Sequence, residues 1–138
     1  MNKVKLQIIT PEKEFYEDEA ELVVVKGSEG TIGLMYDHEP FVTPLGIGPI
    51  KILQDNKIKH AAISQGFIQA MEDKIVILAD TAEWPEDIDI ERAKKAKKRA
   101  EERLNKRSEE KIDALRAEIA LKKAITRIDV AKIPARHK

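Results

Sequence analysis

No cysteine occurs anywhere in this chain, so it has no disulfide framework and no thiolate metal site, and a reducing compartment is expected. Charge of one sign is not in excess either. The formal net charge is +0, which argues against a general nucleic-acid binder, a class that is usually basic overall. No apolar run approaches the roughly 18–20 residues that span a bilayer. The opening "MNKVKLQIIT" lacks a signal-peptide core. A soluble, cytoplasmic protein is the expectation. Glycine is missing from the whole of residues 86–138, and so are aromatic side chains.

That last absence divides the chain. Residues 1–85 hold all of the glycines and aromatics and nearly all of the prolines, whereas residues 86–138 are rich in Ala, Lys, Arg and Glu. The boundary falls near Trp84-Pro85.

The first part has the period of strands. "VKLQII" alternates apolar and polar residues, as a half-buried strand does. "ELVVVK", "TIGLM", "PIKIL", "IKHAAIS", "FIQAME" and "DKIVILAD" are further short runs, separated by turn signals at "GSEG", "QDNK", Gln65-Gly66 and Asp73-Lys74. The pattern predicts an antiparallel β-sandwich or barrel over about 85 residues. A domain of that size has a modest core, and a partner surface is in keeping with it. "YDHEPFVTPL" reads as a proline-bearing loop too apolar to be idle solvent surface.

The second part reads as a helical hairpin. Pro85 with Asp87 or Asp89 starts a helix that runs from about Ile88 to Lys106. "NKRS" connects it to a second helix, which Ser108 can cap, with Glu109 and Glu110 at its positive end. That helix carries Ile112, Leu115, Ile119, Ala120, Leu121, Ala124, Ile125 and Ile128, and stops before Pro134. The short connection predicts an antiparallel pair. The inward-capable residues of the first helix are Ala93, Ala96, Ala100 and Leu104. Alanine allows close approach but gives up about 0.8 kcal/mol per missing methylene, so a weakly held hairpin is expected.

The cations of the two helices can converge. Arg92 and Arg99 share one face of the first helix, and Lys123 and Arg127 one face of the second. Folding the hairpin about residues 105–109 brings position 92 level with 123–127. Converging guanidinium and ammonium groups suit phosphate oxygens. The same cations also suit pairing with Asp89, Glu91 and Glu118 or exposure to solvent. No glycine-rich phosphate loop is present. Catalysis has no convergent acid, base and nucleophile: His38, His60 and His137 are scattered, and Ser64 in "ISQG" does not form a nucleophile elbow. A nucleic-acid adapter with a basic hairpin would call for aromatic platforms among the cations, and the helices have none.

Four segments carry a resemblance over essentially the full length: "IITPEKEFYEDEAE", "VKGSEGTIGLMYDHEPFVTPL", "AAISQGFIQAMEDKIVILADTAE" and "EDIDIERAKKAKKRAEERL". In order and spacing the chain resembles the epsilon-subunit family of bacterial F-type ATP synthases. The resemblance implies an α+β fold: a ten-stranded antiparallel β-sandwich over residues 1–85, then a two-helix hairpin over 86–138. It implies a non-catalytic subunit of the central stalk that binds gamma, touches the c-ring and couples rotation. It further implies that the hairpin, when extended into the alpha/beta hexamer, inhibits ATP hydrolysis. The place implied is the cytoplasmic side of a bacterial membrane, with membrane contact only through the complex and no nucleic acid.

Some members bind ATP, with Mg2+ as a possible companion, through Ile/Leu-Asp-x-x-Arg-Ala. "IDIERA" supplies that motif as Ile88, Asp89, Arg92 and Ala93. The resemblance adds Glu83, Arg99 and Arg127 to the ATP set. Lys123 stands where the family carries an arginine, which keeps the charge and loses the bidentate fork. Thr31, His38 and Phe41 fall on the c-ring-facing segment, Thr31 at a turn where some relatives carry an acid.

Overall fold

A computed structural model describes residues 2–27, 29–106 and 111–133. Ten strands are followed by two helices. The strands are β1 (Val4–Ile9), β2 (Glu14–Ala20), β3 (Leu22–Gly27), β4 (Gly30–Leu34), β5 (Phe41–Leu45), β6 (Gly48–Gln54), β7 (Lys57–Ile63), β8 (Gly66–Ala70), β9 (Lys74–Ala79) and β10 (Ala82–Glu83). A short 3-10 turn, Pro85–Asp87, leads into α1 (Ile90–Asn105) and α2 (Lys111–Ala131).

The strands run in the order β10-β7-β6-β3-β5-β8-β9-β1-β2, with β4 on β3. This is a ten-stranded sheet wrapped around one core, followed by a helical pair, as the family resemblance implies. Alternation fixes the register: Val4, Leu6 and Ile8 of β1 are buried, and so are Ile75 and Ile77 of the neighbouring β9. Ile50, Ile52, Ile68 and Val23 complete the centre. All strand pairs are antiparallel except β1 with β9, which run parallel.

Two tight features shape the sheet. Asp55 and Asn56, both with positive φ (51° and 65°), form the two-residue link between β6 and β7. Two left-handed residues in succession suit the twist of a hairpin, and Asp and Asn tolerate that conformation. At Gly66 a Cβ would lie 1.9 Å from the Leu78 carbonyl oxygen, so only glycine fits where β8 crosses β9.

Two strands depart from the sequence reading. Phe41–Leu45 is a strand and not part of a loop. Pro44 is tolerated there because β5 pairs fully with β8 but meets β3 only at Gly27↔Leu45, so most of its other side behaves as an edge. Glu14–Ala20 forms β2 at one end of the sheet. It turns mainly Tyr16 and Ala20 inward and leaves four carboxylates outside.

Asp89 is the cap of α1, its carboxylate accepting from the Arg92 amide at 3.1 Å. The expected caps Ser108, Glu109 and Glu110, and the stop at Pro134, lie outside the described residues. A parallel helix pair would need the connection to run back along α1, about 24 Å at 1.5 Å per residue; the six steps from Asn105 to Lys111 can reach at most about 20 Å. The helices are therefore antiparallel. Their seam is lined by Ala93 and Ala100 on one side and Ala117, Ala124 and Ile128 on the other. Leu115 and Ile125, grouped with the inner residues by sequence, are exposed. No helix among the described residues is long and apolar enough to cross a membrane.

Candidate functional site

The hairpin rests on the sandwich through α2, which packs on β6, β7 and the 3-10 turn. A second, small apolar cluster lies there: Ala62, Ile88 and Val130, with Ala131 against them. Beside this cluster opens a cavity of about 410 Å³. Its walls come from the β1–β2 loop (Thr10, Glu12, Lys13), from Ala62 and Ile63 of β7 with Ser64 after them, from Asp80 to Glu83, and from Lys123, Thr126 and Arg127 of α2.

Local structure explains why these side chains meet. β10 pairs with the end of β7 at Ala82↔Ile63 and Glu83↔Ala62. Ser64, the one buried polar side chain among the described residues, fixes this junction: its hydroxyl oxygen accepts from the Thr81 amide at 2.8 Å and from the Thr81 hydroxyl at 2.9 Å. Its role here is structural. Glu83 is thereby held at the mouth of the cavity, facing α2. Arg127 Nη2 donates to Glu83 Oε2 at 3.0 Å. Arg127 Nε lies 2.8 Å from Oε1 but out of line for a hydrogen bond, so that contact is electrostatic.

The residues marked by sequence separate into two groups. Glu83, Lys123 and Arg127 line the cavity together. Ile88 and Ala93 are buried beside it, under α2 and in the helix seam. Asp89 is engaged as the cap. Arg92 and Arg99 are exposed on α1 and are not among the residues that line this cavity. Thr10, Glu12, Lys13, Asp80 and Thr126 carry no motif and were not marked; their sole signal is the topology that brings the β1–β2 loop under α2. With Glu12, Asp80 and Glu83 facing Lys13, Lys123 and Arg127, the cavity has mixed charge. It fits an anionic group at the Lys123–Arg127 side, where a cation fork and an ammonium group are adjacent on one helix face.

The sandwich carries two other surfaces of interest. Thr31 is exposed on β4, in a shallow hollow shared with Glu29, Ile32 and Thr43. His38 is half-buried, its Nδ1 3.1 Å from the Glu39 carbonyl oxygen, with its ring edge-on to Phe41 at 6.4 Å. On the outer face of β5, β8 and β9, Val42, Phe67 and Leu78 are each more than half exposed (66%, 55% and 51%). Phe67 sits between Pro44 and Leu78 in register, so these residues form a continuous apolar stripe. At the domain boundary, Trp84 stacks on Phe15 at 4.4 Å and meets Tyr16 edge-on at 6.0 Å.

Comparison with known proteins covers both parts of this architecture. Residues 3–85 match the family described as ATP synthase, Delta/Epsilon chain, beta-sandwich domain, and residues 86–132 its long alpha-helix domain. The ATP synthase epsilon chain of Shouchella clausii is 48% identical over 132 residues, covering 96% of this chain and 97% of that one. That of Alkaliphilus metalliredigens is 50% identical over 95% of this chain and 97% of its own length. Among solved structures, a chain of the Euglena gracilis mitochondrial ATP synthase OSCP/F1/c-ring assembly shares the fold, with a TM-score of 0.82 at 22% identity over 95% of this chain and 82% of that chain. With both domains matched, and relatives this similar along nearly their whole length, the chain belongs to the delta/epsilon chain family of ATP synthase.

Proposed function

We propose that this chain is a non-catalytic subunit of the central stalk, which couples rotation through its sandwich and restrains ATP hydrolysis through its hairpin. In this reading ATP, with or without Mg2+, favours the folded hairpin. The observation that carries it is the cavity between the two parts, where Glu83 of the sandwich and Lys123 and Arg127 of α2 meet. A ligand held across such a junction favours the conformation that keeps the junction closed, by its difference in affinity for the two states. Arg92 and Arg99 are long side chains on the adjoining helix and complete the cation set on reorienting toward the ligand. The cations of α1 have a second set of partners when the hairpin is extended: acidic surfaces of the alpha/beta hexamer.

The sandwich is the assembly module. The apolar stripe at Val42, Pro44, Phe67 and Leu78 suits a permanent protein neighbour, for which gamma is proposed. Thr31, His38 and Phe41 are proposed to face the c-ring, so that the subunit sits on the cytoplasmic side of a bacterial membrane and reaches it only through the complex.

Calorimetric titration of the full chain with ATP tests the nucleotide part. Arg92→Ala and Arg127→Ala are each expected to weaken binding about tenfold to a hundredfold, the cost of losing one charged contact of roughly 1.5–3 kcal/mol. Lys123→Arg is expected to strengthen it. A chain that gives no heat and no amide shifts with ATP at millimolar level overturns the switch. Ending the chain after residue 86 removes no strand; in the assembled enzyme this is expected to speed ATP hydrolysis, and equal rates would refute inhibition by the hairpin.

A further inference from the structure

Among the described residues the hairpin meets the sandwich through one small apolar cluster. The cluster between them consists of Ala62, Ile88 and Val130, with Ala131 at its side. Two of these four are alanines, whose burial contributes little compared with a leucine or isoleucine. An interface this thin does not by itself define one closed position.

One polar contact crosses the same seam. Arg127 is three residues before Val130 and four before Ala131, hence on the same face of α2. Glu83 is directly across from Ala62 in the β10–β7 register. The ion pair and the apolar cluster are therefore two halves of one contact. The side chains are 29% and 28% exposed, and the two approach side by side at 2.8 and 3.0 Å. Among the described residues this is the one ion pair that links a helix to the sandwich. Each partner also has a like charge close by in sequence in the wall of the cavity: Lys123 four residues before Arg127, and Asp80 three before Glu83.

We propose that the Glu83–Arg127 pair is a clasp that sets the closed position of the hairpin in the absence of any ligand. The pair acts through register more than through bulk stability. It penalises any placement of α2 that separates the two charges without returning them to water. An occupied cavity would add to a closure that the clasp already defines. The inference deepens the reading of the hairpin as the moving part and rests on it, but does not depend on nucleotide binding.

Hydrogen exchange of the full-length chain, read by mass spectrometry without nucleotide, tests the clasp. Glu83→Gln and Arg127→Gln are each expected to speed exchange about fivefold in the C-terminal half of α2, with β1, β8 and β9 unchanged. The charge swap Glu83→Arg with Arg127→Glu is expected to recover most of the lost protection. In the wild-type chain, raising salt from low levels to about 1 M should speed exchange in the same segment, and in Arg127→Gln it should not. Unchanged α2 exchange in both single variants, or a swap no better than the two losses added together, overturns the proposal. The salt comparison on the wild-type chain decides the matter if a variant disturbs the sandwich. Because no nucleotide is present, loss of the clasp and failure of ATP binding are separate results.

Discussion

The sandwich and the hairpin solve the same problem with different side chains. The centre of the sandwich is built of Leu6, Ile8, Ile50, Ile52, Ile68, Ile75 and Ile77, all fully buried. The seam of the hairpin is built of Ala93, Ala100, Ala117 and Ala124, with Ile128 at one end. A buried isoleucine contributes roughly 1.5–3 kcal/mol, and an alanine far less. The sandwich thus has the heavier apolar core and the hairpin the lighter seam, which is what the proposed movement of the hairpin calls for. The contrast also bears on the cations: the apolar contact of α1 rests on small side chains, Ala93 and Ala100, and its charged groups are the ones proposed to serve partners outside the hairpin.

The largest expected effect comes from the centre of the sandwich. Ile77 is fully buried at the middle of β9, between β1 and β8. Ile77→Ala leaves a cavity in a packed core and is expected to cost about 3–4 kcal/mol. Urea unfolding followed by Trp84 fluorescence measures it. Ala100→Gly in the hairpin should cost only about 1 kcal/mol. Similar losses at the two sites would refute the contrast between a heavier core and a lighter seam.

The contrast itself is readable in the sequence, because it lies in which residue types recur at periods of two and of three to four. Alternation located β1, β3, β6, β7, β8 and β9, and Pro85 with Asp89 located the start of α1. β2 was hidden because "EFYEDEA" turns carboxylates outward on an edge, so its apolar signal is confined to Phe15, Tyr16 and Ala20. β5 was hidden by Pro44, whose meaning depends on how little of β5 pairs with β3. The parallel pairing of β1 with β9 joins strands about seventy residues apart, and no local pattern records it. The site was half legible for the same reason. Lys123 and Arg127 share a helix face by spacing alone, but the contact of Arg127 with Glu83 spans 44 residues and needs the β10–β7 pairing. Helix spacing aligns heights along two helices and leaves their rotation open: Arg92, level with Lys123 and Arg127 by spacing, is exposed on α1, while Lys123 and Arg127 line the cavity with Glu83.

A smaller effect is expected where the two parts join. Burial, with Asp18 and Asp55 nearby, pushes the Tyr16 hydroxyl from 10.0 up to about 12. The folded chain therefore keeps a proton that the unfolded chain gives up between those values. Stability from this group is fully present below about pH 10 and falls as the pH rises from about 10 to about 12. Tyr16→Phe should remove that part of the alkaline loss, measured as the pH dependence of the urea midpoint. The loss belongs to the sandwich, since Tyr16 lies in its core cluster. An equal alkaline loss in Tyr16→Phe would assign it elsewhere.

The smallest expected effect sharpens the comparison at the first turn of α1. Asp89 accepts from the Arg92 amide and so satisfies one of the donors that a helix start leaves open. Asp89→Ala should cost about 1 kcal/mol and fray the first turn, seen as lost helical ellipticity with an unchanged sandwich. Asp89→Asn keeps the cap, because an amide oxygen accepts the same bond, and removes the charge. The two variants therefore separate the two roles that fall on this residue. If Asp89 serves only the helix, Asp89→Asn should match the wild type in ellipticity and in ATP titration. If its charge also orients an arginine or accepts from the adenine amine, Asp89→Asn should keep the helix and weaken ATP binding. Weaker binding in Asp89→Ala alone would mean that nucleotide affinity follows the order of the first turn, and that the hairpin responds to its own helix start before it responds to the ligand.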